Sequence, residues 1–267
     1  MEGVLSSIHR QRVLAALLGL SLVVGAPGVA AQTTAAPAAP AANPAAAPVV
    51  VSRHLAPGFS RLDKGVKLAV VPIDVQLFSI SAGGVVEPRA DWSDAAKKHM
   101  RTALAKTANV YQLELGDLDE KASDEHAEVM NLHSAVAGAI ALHHFGFHKL
   151  PTKEDKLDWS FGDALLPLQQ ATGARYGLFV FMRDSYATAE RKAMMGLVAV
   201  LSAVATGGAG VAMLGGGVQT GYATLVDLQT GQVLWFNQLM RSSGDLREEA
   251  PAAETMNALL HGFPGSK

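Results

Sequence analysis

Apolar positions recur along this chain with two different periods. From Gly65 to Asp74 (GVKLAVVPID) they form a β-branched run long enough for one buried strand, and Pro72, which has no N–H to give a ladder, ends it. Asp91, Trp92, Ser93 and Asp94 then precede AAKKHMRTALAKTA, where Ala96, Met100, Ala103 and Leu104 return at helical spacing. Asn109 closes that helix, and Val110 to Leu115 alternates as a second strand. Residues 122–145 read as a long helix stopped at Gly146, and a short helix runs from Asp163 to Ala171. Tyr176 to Tyr186 (YGLFVFMRDSY) is the most aromatic strand. Gly221 to Leu228 and Gln232 to Met240 are two strand-like runs joined by Asp227-Leu228-Gln229-Thr230-Gly231, whose glycine can close a tight hairpin. Asp245 to Leu260 finishes as a helix, with Leu246, Met256, Leu259 and Leu260 placed to pack on a sheet. This order predicts an α/β domain: a mixed sheet of about five strands with packed helices, a C-terminal β-hairpin and helix, and a Gly-rich hydrophobic insertion.

The insertion, residues 190–218, breaks both periods. No charged residue occurs in the 34 positions between Lys192 and Asp227. Its first half is AMMGLVAVLSAVAT; its second, GGAGVAMLGGGVQTG, has Gly at 207, 208, 210, 215, 216 and 217, with another at 221. Met194 to Leu214 reaches the ~20 residues of a transmembrane helix. A single crossing, however, would put the strand at 176–186 and the hairpin at 221–240 on opposite sides of a membrane, where they could not share a sheet. A barrel hairpin needs polar and apolar residues in alternation, which Leu197 to Leu201 lack. Three readings remain open: a helix from about Ala189 to Ala205 buried against its own domain, a helix or re-entrant hairpin in contact with lipid, and a self-association surface. For the last two, the contact residues are Leu197, Val198, Leu201, Val204, Val211 and Leu214. A phosphate-cradling loop fits worst, because the glycines lack the Walker Lys-Ser/Thr and the strand-loop-helix frame.

At the other end, Arg10 and Arg12 precede the charge-free run Val13 to Ala26, and Pro27 leads into Gly28-Val29-Ala30-Ala31. This is the pattern of a secretory signal peptide over residues 1–31, with cleavage near Ala31. Residues 32–57 are an Ala/Pro-rich linker; Gln32 to Pro48 alone has nine Ala and four Pro in 17 positions, which forbids a helix and cannot bury a core. Residues 58–267 form the single α/β domain. The pattern predicts that the domain is exported.

Charge and composition remove whole classes of function. With 22 Lys and Arg against 24 Asp and Glu, the net charge is −2, and loss of residues 1–31 makes it −3, so no basic surface awaits nucleic acid. The absence of cysteine excludes disulfides, a thiolate nucleophile and Cys-ligated metal. Nine histidines leave a His-dependent metallohydrolase as the enzyme alternative. His126, His133, His144 and His148 fall on one helical stripe, and His144 and His148 are spaced to share an ion, with His143 or Glu154 as a further ligand. Seven helical residues span ~10.5 Å, so His126 and His133 cannot share one. No HExxH or GxSxG occurs. Ser79-Ile80-Ser81 and Ser242-Ser243 have turn or strand-end surroundings, and Asp117, Asp119 and Glu120 read as a solvated turn. Asp74 sits at the carboxyl end of the first strand, where α/β proteins place functional groups, so a small-ligand-binding periplasmic domain is a second alternative. Trp159, Trp235, Phe179 and Phe181 read as core. No catalytic, metal or cofactor residues are assigned.

The hairpin, GYATLVDLQTGQVLW from Gly221 to Trp235, together with Gly173-Ala174-Arg175-Tyr176, resembles the C-terminal half of the curli-secretion-channel and TolB N-terminal-like group of bacterial envelope proteins. There a strand ending D-x-x-T-G turns into one beginning V-L-W. Leu68 to Asp74 likewise resembles the V-x-P-F/I strand that opens such domains, and the resemblance extends over roughly residues 64–262, most nearly to a proteobacterial branch. It implies a non-enzymatic periplasmic α/β domain associated with the outer membrane, an envelope assembly or transport accessory working by self-association, an envelope protein partner or membrane contact. The chain departs from the group in lacking a lipid-bearing cysteine and the alternating pattern of the channel's barrel hairpins.

Overall fold

In a computed structural model of the 267-residue chain, residues 52–111, 113–117, 127–205 and 217–265 are described. The predicted signal segment and most of the linker lie outside them. The described elements run β1 (Lys67–Val70), β2 (Asp74–Ile80), β3 (Val86–Pro88), α1 (Ala90–Val110), β4 (Glu114–Asp117), α2 (Ala127–Ile140), α3 (Leu166–Thr172), β5 (Tyr176–Ala187), α4 (Ala189–Ala205), β6 (Gln219–Asp227), β7 (Val233–Arg241) and α5 (Glu249–Leu259).

The seven strands form one mixed sheet around β5. Along one edge β5 is paired in parallel first with β1, Leu68 opposite Tyr176, and then with β2, from Asp74 opposite Phe181 to Ile80 opposite Ala187. β4 lies parallel to β1 and β3 antiparallel to β2. On the other edge come β6 and then β7, both antiparallel. Seven segments thus occupy five positions across the sheet. The sequence pattern finds five of them and misses β2 and β3. Pro72 does end β1, but the chain resumes along the same neighbour two residues later, because Val71 still donates to the Leu178 carbonyl at 3.1 Å and holds the line of the strand. Asp74 therefore opens β2 and does not close the first strand. Helix α1 continues through Val110, and the next strand begins only at Glu114, where parallel pairing with Lys67 sets its register.

Both faces of the sheet are covered. On one, Ala96, Met100, Ala103 and Leu104 of α1 and Ala252, Met256 and Leu259 of α5 pack on Leu68, Val70, Leu178, Val180, Leu225 and Trp235. On the other, Val129, Ala137 and Ile140 of α2 and Leu168 of α3 pack on Ala69, Val71, Phe179, Val226 and Phe236. The alternation of Leu178 and Val180 with Phe179 divides β5 between the two cores. The hairpin turn is fixed chemically: Asp227 Oδ1 accepts the backbone N–H of Gln229 (2.9 Å) and Thr230 (3.1 Å), and Gly231 donates to the Asp227 carbonyl at 2.8 Å with φ +69°. The D-x-x-T-G signature is thus a turn device.

Candidate interaction surface

Helix α4 has the bounds that the sequence predicts, and its setting bears on the first of the three readings. Thr188 starts it: the Thr188 N–H donates to the Ile80 carbonyl at 2.9 Å, and its Oγ1 accepts the N–H of Arg191 at 3.3 Å. Arg191 then anchors the first turn by donating from Nη1 to the Ser81 carbonyl at 3.3 Å, in the β2–β3 turn. Met195, Val198 and Ala199 are partly covered. Beyond that the helix is bare. Leu197 is 60% exposed, Leu201 58% and Val204 78%, with Met194 and Val200 also exposed. A helix packed over its length on its own domain, the first reading, does not describe these residues. The correction comes from topology: α4 leaves the end of β5 beyond the sheet's cover, where neither core cluster extends.

The exposed residues share one side. Met194, Leu197, Leu201 and Val204 are separated by three, four and three residues, the spacing of a seam between paired helices, and Val200 lies beside them. Val198 is partly buried, on the domain side. Val211 and Leu214 lie outside the described residues. Sequence reasoning omitted Met194 and Val200 because hydropathy marks the whole stretch alike and cannot say which side the domain takes. It also missed Val85, exposed in the β2–β3 turn against which Arg191 rests, Val86 at the start of β3, and Met240 and Val218 at the open end of β6–β7. No described helix is long and apolar enough to cross a membrane.

The histidines are not brought together. His133 is buried against Phe179 and Phe161, ring centroids 4.7 and 6.2 Å away, and its Nε2 meets Thr224 Oγ1 at 2.9 Å. Burial pushes its pKa down to about 4, against a small opposing pull from Asp74. α2 gives way after Ile140 to a π-helical turn, Ala141–Phe145, and His144 turns to the Arg53 carbonyl (2.8 Å) instead. Burial lowers the His144 pKa too. His143 Nδ1 meets the carbonyl of His148, whose own ring is exposed, and His126 lies outside the described residues. Among the described residues no group of three or more His, Asp or Glu could hold a metal ion.

The carboxylates are spent in different ways. Asp74 and Arg183 form a two-point ion pair at 2.8 and 2.9 Å across β2 and β5. Asp117 ends β4, and Asp119 and Glu120 lie outside the described residues. Asp184, only 4% exposed, accepts Tyr186 Oη (2.6 Å), Gln219 Nε2 (2.7 Å) and the Ser185 N–H (2.7 Å). Burial raises its pKa and, with the Asp184 bond, raises that of Tyr186. Gln219 passes the network to Arg241 (2.8 Å) and Thr255 (3.2 Å). Ser79 is buried within β2, while Ser242 and Ser243 follow β7 and line a cavity beside Asp184.

No family model matches the chain, and no curated protein matches it. The resemblance to the curli-secretion-channel and TolB N-terminal-like group is not confirmed. Similar solved structures include the PelC dodecamer from Paraburkholderia phytofirmans, at 14% identity and a TM-score of 0.36, covering 78% of this chain and 94% of that one. The LpoB C-terminal domain from Salmonella enterica has 14% identity and a TM-score of 0.28, covering 70% and 88%. A lipoprotein from Neisseria meningitidis has 12% identity and a TM-score of 0.31, covering 73% and 95%. Overlaps of this degree leave function to be read from the chain itself.

Proposed function

We propose that this is a non-enzymatic exported protein, an envelope assembly or transport accessory domain that acts from the periplasmic side through contact made by α4. The observation that carries the reading is the bare apolar stripe Met194, Leu197, Val200, Leu201 and Val204 on a helix otherwise anchored to the domain. Apolar side chains left in water at this density mark a surface that is covered in the working state. The signal-like residues 1–31 and the Ala/Pro tether support export and reach.

A second copy of the chain is the occupant that the stripe favours. Its three-four-three spacing suits helix-to-helix packing, and Ala193 and Gly196 allow close approach. A bilayer surface is served less well. Interfacial helices border the apolar face with lysine and arginine along its length, whereas here the basic residues Arg191 and Lys192 are confined to the first turn beside Glu190, and no residue of α4 after Lys192 is charged. The test is sedimentation velocity of the wild type and of Leu197→Lys/Leu201→Lys, with liposome flotation alongside. Dimers or higher species that the double variant reduces to monomer are expected. A wild-type monomer at every concentration overturns self-association, and flotation that the variant abolishes assigns the stripe to lipid instead.

A further inference from the structure

At the root of α4 the carboxyl end of β5, the start of β6 and the segment after β7 border a half-open cavity of about 170 Å³, room for a small ligand and not merely one water. Asp184 forms part of its wall, with Tyr186 and Gln219 beside it; Lys192 and Met195 of α4, with Ser242 and Ser243, supply the rest of the chemistry. The charge inside is unbalanced. All three donors to Asp184 are neutral groups, and among the described residues no cation lies within ion-pair distance of this buried carboxylate. The nearby arginines are engaged: Arg247 pairs with Asp245 and lies over the rings of Trp92 and Tyr186 at 4.6 and 4.2 Å, and Arg241 is held by Gln219 and Thr255. A buried carboxylate without a counter-charge is costly and is relieved by any cation admitted to its cavity. Lys192, on the exposed first turn of α4, places a positive charge on the same wall, which Ser242 and Ser243 also line.

We propose that this cavity binds a small zwitterion of the α-amino-acid class, its ammonium toward Asp184 and its carboxylate toward Lys192 and the Ser242–Ser243 hydroxyls. The wall is built from both stems of the insertion, Ser185–Ala187 entering and Gly217–Gln219 returning, as well as from α4 itself, so occupancy ties the helix to the sheet. Gly217 is required there because a Cβ would run into Ser185. The site is independent of what covers the apolar stripe.

The test is calorimetric titration of the purified protein with glycine, L-alanine and L-serine, with ethanolamine as the ammonium-only probe and acetate as the carboxylate-only probe, and thermal shift as a second readout. At least one amino acid is expected to bind and raise the melting temperature, with ethanolamine at least about tenfold weaker and acetate silent. Lys192→Ala changes an exposed side chain and keeps the fold; it should weaken the amino acid about tenfold and leave ethanolamine unchanged. Asp184→Asn should abolish binding of both. No response to any of the three amino acids, or ethanolamine binding as tight as theirs, overturns the proposal.

Discussion

His133 shows how one side chain takes its meaning from its partners. In the unfolded chain its imidazole gains a proton near pH 6.5, whereas in the fold it does so only near 4. Between those values the unfolded state binds more protons, so this contribution to stability is complete above about pH 6.5 and is lost as the pH falls toward 4, by roughly 3 kcal/mol. Urea midpoints across that range should fall for the wild type, and His133→Gln, which can still reach Thr224, should flatten the slope. Gly231 is a second fixed point. Its φ of +69° and its contact with the Gly162 backbone leave no place for a Cβ. Gly231→Ala should cost about 2 kcal/mol or more, read as a lowered urea midpoint with m unchanged. The turn glycine was legible from D-x-x-T-G. The burial of His133 was not, since the seven-residue step to His126 says nothing about what lies across the sheet.

At the scale of elements, α4 separates propensity from placement. Its bounds are local facts: Thr188 caps it, and strong helix formers fill it. Its exposure is a consequence of where β5 ends. The stripe side chains make little contact within the domain, so Leu197→Ser, Leu201→Ser and Val204→Ser should each change unfolding free energy by less than about 0.5 kcal/mol while reducing association. Arg191 is different, because its bond to the Ser81 carbonyl holds the first turn to the β2–β3 hairpin. Arg191→Ala should speed hydrogen exchange in residues 189–199 without changing exchange in β5. β2 was missed for a related reason. After Pro72 the run DVQLFSI alternates only as far as Leu77 before Phe78 interrupts the period, and pairing with Phe181 to Ala187 makes it one strand.

For the whole molecule, export is the property to test. The protein recovered from a periplasmic extract should begin near Gln32 by intact mass; a full-length N-terminus in the cytosol would remove the envelope reading. The sequence by itself determined the α/β class, the C-terminal hairpin and helix, the bounds of α4 and the chemistry that a cysteine-free, near-neutral chain cannot perform, because these follow from period, turn residues and composition. The tertiary structure alone decided that His133 is core, that His144 faces a carbonyl, that Asp74 pairs with Arg183, and that Asp184 borders a cavity with Lys192. It also decided which side of α4 meets water. Those outcomes depend on neighbours scores of residues apart, brought together by strand register, and no local pattern encodes a register.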